Sequence, residues 1–155
     1  MQMNERTGYV AAAIGGAAGG LVLAIVGTVV GGVYADHSNL IELDALGPML
    51  IGVAAGLWIG PALGCWIGLR ARRHDAAART ALTLLVTMPL WLAIGLPVAA
   101  QLANLLPESS SFGPIALHGP VVLAWLAIEL AVAGALTRLL VLRAGGYLRS
   151  IRRAS

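Results

Sequence analysis

The chain has 155 residues, of which 59% are hydrophobic and only 11% charged, with a formal net charge of +3. So little polar surface cannot coat a water-soluble domain, and the apolar runs are too long to hide inside one; a single integral membrane domain accounts for residues 1–155. The positive balance does not point to nucleic acid, because the arginines stand beside apolar runs and not in one soluble patch; anionic lipid head groups are the partner that fits.

Four apolar runs exceed the about 20 residues that a helix needs to cross a hydrocarbon core. They predict helices over 9–34, 46–69, 80–106 and 120–142, an all-α protein of four transmembrane helices paired as two hairpins. The first run carries small residues at every fourth position, Ala12, Gly16, Gly20, Ala24, Thr28 and Gly32, with Gly15, Gly19, Gly27 and Gly31 beside them. At about 25 residues it is too long for the apolar part of a cleaved signal and reads as a retained helix. The second run repeats the device with Gly52, Gly56, Gly60, Gly64 and Gly68, interrupted by Pro61. Lipid offers helices no hydrophobic reason to associate, so contact rests on van der Waals packing, and small residues four apart let two backbones approach. The first two helices are therefore expected to pack closely, either as one hairpin or, in a second reading, between subunits around a pore.

Segment three is built differently. It has Pro89 and Pro97, one glycine, and the four-residue series Thr83, Thr87, Trp91 and Gly95. Proline removes a backbone bond and kinks a helix, and Thr87 stands near enough to relieve the backbone at Pro89. Gly47-Pro48 and Gly119-Pro120 are read as openings of the second and fourth helices, since proline at a first helical position loses no intrahelical bond. After the fourth run, Gly145 and Gly146 permit a bend into a short amphipathic basic tail, 145–155.

Charge sets the orientation. Arg6, the linker residues Arg70, Arg72, Arg73 and Arg79, and the tail residues Arg143, Arg149, Arg152 and Arg153 fall on one side of four crossings. The opposite loops hold Asp36, Glu42, Asp44 and Glu108 and no arginine. The positive-inside rule then puts both termini and the central linker in the cytoplasm, with Arg70, Arg72, Arg73, Arg79, Arg149, Arg152 and Arg153 against anionic head groups. All ten basic side chains are arginine, and alanine and glycine are abundant. That usage fits GC-rich codons and suggests a bacterial plasma membrane.

The residue that requires explanation is Glu129, nine positions into the fourth run. A carboxylate near the bilayer centre costs about 2.5–3.5 kcal/mol on insertion scales and must face protein or water. Trp125, Leu126, Val132 and Ala133 share its helical face, while Ala127, Ala131 and Ala135 point nearly the other way. Arg138 is about 13 Å further along the helix and half a turn round, too far for a direct bond, and is expected to snorkel to the head groups. Gln101, Thr83, Thr87 and Trp91 are the candidate partners from segment three. Glu129 is then either a protonated structural glutamate or one that exchanges a proton or cation.

Other chemistry is weak. Asp36, His37, Glu42, Asp44 and His118 have no tight metal-ligand spacing, His74 beside Asp75 reads as solvated, and Cys65 reads as a small packing residue. No nucleophile has a matched base and no glycine loop suits a phosphate, so neither an enzyme nor a cofactor or metal site is expected. Two functions remain. The first is packing and assembly, as an accessory subunit of a larger membrane complex or a homo-oligomer. The second is a small proton- or cation-coupled transporter or channel using Glu129.

Overall fold

The computed structural model describes residues 2–38, 40, 43–104 and 114–154. Glu42, Glu108 and the segment 105–113 lie outside the described residues, as do the side chains of His118, Arg149, Arg152 and Arg153. Four helices make up almost all of it: α1 (Gln2–His37), α2 (Leu43–Ala71), α3 (Ala77–Asn104) and α4 (Pro114–Ala154). Each contains a stretch long and apolar enough to cross a membrane, Arg6–His37, Leu46–Ala71, Ala77–Gln101 and Pro120–Gly145. Large apolar side chains such as Ile25, Ile51, Val86, Leu90 and Leu140 point outward on all four helices. A soluble monomer rarely exposes apolar patches of this extent, and the four long apolar helices are consistent with a multi-pass membrane protein.

Three local expectations change. Helix α2 begins at Leu43 and α4 at Pro114, so Pro48 and Pro120 lie inside helices and Pro114 takes the first helical position. Pro48 is tolerated there because its missing N–H would have met only Asp44, an exposed residue in the first turn of α2. Helix α4 also runs unbroken through Gly145 and Gly146 to Ala154, in place of a bend; two glycines lower helix propensity but do not break a hydrogen-bond ladder.

The helices stand in a ring in chain order. Helix α1 packs along α2 over its length and against α4, α3 packs against α2 and α4, and among the described residues α1 never approaches α3. The α1–α2 seam is a contact of backbones. A Cβ at Gly19 would lie 2.7 Å from the Gly64 Cα, one at Gly60 would lie 2.8 Å from the Gly20 Cα, and Gly27 and Gly52 oppose each other directly. In α1 this seam uses Gly15, Gly19, Gly27 and Gly31. Gly16 and Gly20 turn instead to the junction with α4, where a Cβ at Gly16 would lie 3.1 Å from the Leu130 carbonyl oxygen. On α4 the close approach runs through Leu130 and Gly134, while Ala127, Ala131 and Ala135 are half-buried and Val132 is exposed.

The tie between α2 and α3 begins with a missing bond. Pro89 has no N–H to give to the carbonyl four residues back, that of Leu85. The indole of Trp58 on α2 donates to that carbonyl at 2.9 Å. Thr87 does not serve it; its hydroxyl donates to the Thr83 carbonyl at 2.9 Å.

Between α2 and α3 the chain turns within a few residues. The His74 N–H donates to the Leu69 carbonyl at 2.9 Å and the Arg73 N–H to the Arg70 carbonyl at 3.0 Å, the paired bonds of a Schellman ending. Glycine is the usual residue at its left-handed position; here Arg73 holds it at φ 54°, and Ala76 follows at φ 59°.

Candidate functional site

Glu129 lies where α4 meets α3. It is 7% exposed, and its carboxylate occupies the space that a side chain at residue 95 would fill, reaching the Gly95 backbone directly. Both carboxylate oxygens are buried, and among the described residues neither has a hydrogen-bond partner. One turn before it, the Trp125 indole donates to the Gly95 carbonyl at 3.2 Å. Trp125 and Glu129 thus share a face of α4 and grip one residue of α3, one by its carbonyl and the other by its missing side chain.

None of the four residues expected to partner Glu129 does so. Gln101 is exposed, the Thr83 hydroxyl donates to the Arg79 carbonyl at 2.9 Å and that of Thr87 to Thr83, and Trp91 packs against the apolar core. The sequence held one signal for the true neighbour. Gly95 is the only glycine of α3, hence the one position where a side chain from another helix can lie flat on its backbone.

Arg138 is not a snorkelling residue. It is 4% exposed, and its Nη1 donates to the backbone carbonyl of Asp75 and, at 3.4 Å, to the Thr80 hydroxyl. Gly8 of α1 closes the other side, with room for a Cβ only 3.7 Å from Arg138 Nε and 3.5 Å from the His74 ring. His74 is therefore packed between elements, with a buried Nε2, and is not simply solvated. Arg138 ties α4 to the start of α3 and to the turn before it. It can do so because a backbone carbonyl and a hydroxyl accept its protons where no lipid phosphate is needed.

The linker arginines take no part in these two clusters as the structure describes them. Arg72, Arg73 and Arg79 are exposed, and Arg70 lies over the Trp66 ring at 5.2 Å, a cation–π geometry. Cys65 is a free, buried thiol in the apolar cluster with Leu69, Leu84, Met88 and Leu130. Asp36, His37 and Asp44 are exposed. An apolar groove of about 570 Å³ runs along the outside of the α1–α2 seam, lined by Leu23, Val30, Tyr34, Pro48, Ile51 and Ile59 among others, and does not include Glu129. No family model matches the chain, and no curated protein or solved structure matches it.

Proposed function

We propose that this chain is a bacterial plasma-membrane protein that crosses the bilayer four times as two hairpins, and that its work is packing and assembly, as an accessory subunit or a homo-oligomer. Both termini and the 70–79 linker lie in the cytoplasm, where the exposed arginines meet anionic head groups. The observation that carries this reading is the use made of polar side chains within the helices: Trp58, Trp125 and Arg138 each donate to a backbone carbonyl of a different element. The glycine-rich seams serve the same end, since backbone contact along α1 and α2 gives a rigid apolar surface on which other helices can pack. Gentle extraction from its own membrane, followed by light scattering, should give a mass above that of one chain. A monodisperse single copy under several mild detergents would sink the assembly reading.

One observation favours a second reading, a proton- or cation-coupled transporter or channel. The Glu129 carboxylate is buried, has no donor among the described residues, and ties nothing by hydrogen bonding, unlike Trp58, Trp125 and Arg138. Glu129→Gln should leave assembly intact and abolish ion-dependent flux in reconstituted vesicles. Flux that is unchanged in the variant removes this mechanism.

A further inference from the structure

We infer that the ion Glu129 takes is a proton and not a metal cation, and that it exchanges when the part of α3 beyond Pro89 lifts Gly95 off the carboxylate; this rests on reading Glu129 as an exchange site. The donor set decides the ion. Hard cations take about six or more oxygens at close range. At this contact the carboxylate brings two oxygens, and the carbonyl of the glycine it lies on already accepts from Trp125. The nearest hydroxyls along α3, those of Thr83 and Thr87, donate to carbonyls of their own helix. Among the described residues no three His, Cys, Asp or Glu side chains come together. A proton asks for a single oxygen and no added space, which is what a carboxyl pressed against glycine backbone provides.

Among the described residues the surroundings bring no second titrating group to the contact. Helix α3 carries no titratable or charged residue other than Arg79, and α4 has none between Glu129 and Arg138. In the middle of α2 there is only Cys65, and α1 has none between Tyr9 and Tyr34. Opening is built into α3. Pro89 and Pro97 each delete a bond of its ladder. Beyond Pro89 the helix is mostly turned outward, with Leu90, Ile94, Leu96 and Val98 exposed and Gly95 and Ala99 buried. The Trp125 hydrogen bond fastens that half at the residue that covers Glu129. An ionised carboxylate cannot stay in a closed contact without donors, so release of the proton and separation of α3 from α4 go together.

The test is labelling of Glu129 by dicyclohexylcarbodiimide, which reacts with protonated carboxyls within apolar surroundings, followed by mass spectrometry of the full chain in lipid vesicles. Labelling is expected to fall as pH rises and to be the same in sodium, potassium or choline chloride. Trp125→Phe should speed it about tenfold, the worth of one hydrogen bond. Gly95→Ala, whose Cβ takes the space of the carboxylate, should speed it without need of the latch. Glu129→Gln should not label. Protection by sodium or potassium would overturn the proton assignment and leave the exchange site standing. Equal rates in Trp125→Phe and the parent chain would overturn the gating by α3. Failure of both the parent chain and Gly95→Ala to label at any pH would remove the exchange site itself.

Discussion

At the scale of the residue, the interior is organised by what each polar atom lacks. Pro89 deletes the N–H that Leu85 would have used, and Trp58 replaces it from another helix. Trp58→Phe should therefore destabilise the protein by about 1 kcal/mol, within the range measured for hydrogen bonds within membranes. In a Pro89→Ala background the restored N–H serves Leu85, and the same change should cost markedly less. A double-mutant cycle of thermal unfolding in detergent checks this; equal costs in both backgrounds would show that the indole bond does not compensate the proline. The sequence made the need visible, because proline at 89 always frees the carbonyl at 85. It did not make the donor visible, since Trp58 is thirty-one residues before Pro89 and no local pattern links them. Glu129 is similar: the cost of a carboxylate in lipid singled it out, but the register of α4 against α3 chose Gly95 as its neighbour. Nor did a basic residue near a helix end reveal that Arg138 turns inward to Asp75 and Thr80.

At the scale of the element, length and hydropathy were enough for the number and place of the four helices, because crossing a bilayer demands an uninterrupted run of about 20 residues. Their ends were harder to read. Pro48 and Pro120 resembled openings, yet a helix tolerates proline within its first two turns at the loss of a single bond. The faces were harder still. Helix α1 has two sets of glycines offset by one position, and a one-residue offset turns a side chain by about 100°. Composition alone does not say which set meets α2 and which meets α4. Space around each glycine gives the test. Gly60→Leu would drive a side chain into the backbone of Gly19 and Gly20 and should cost about 3 kcal/mol or more, beyond ordinary overpacking. Gly145→Ala, inside α4 and followed by no proline, meets nothing within 4 Å and should stabilise by about 1 kcal/mol through helix propensity. Thermal stability in one detergent compares the two; a harmless Gly60→Leu would count against close backbone packing of α1 on α2.

At the scale of the whole molecule, the orientation proposed from the distribution of arginine can be checked in intact cells. In a Cys65→Ala background, cysteines placed at Ser38 and Ser110 should react with an impermeant thiol reagent from outside, and one at Ala76 should not. The opposite pattern would invert the topology. The turn that holds Ala76 is short, left-handed at two non-glycine residues, and fastened by Arg138, so it is a fixed corner on the basic side.

The ring order has a mechanical result. Helix α1 touches both α2 and α4, so these three form a frame that does not depend on α3 for its closure. In the motion proposed for α3, the half beyond Pro89 hangs in that frame like a door, hinged at the prolines and latched at Trp125, while Trp58 and Arg138 keep its first half and the other three helices seated.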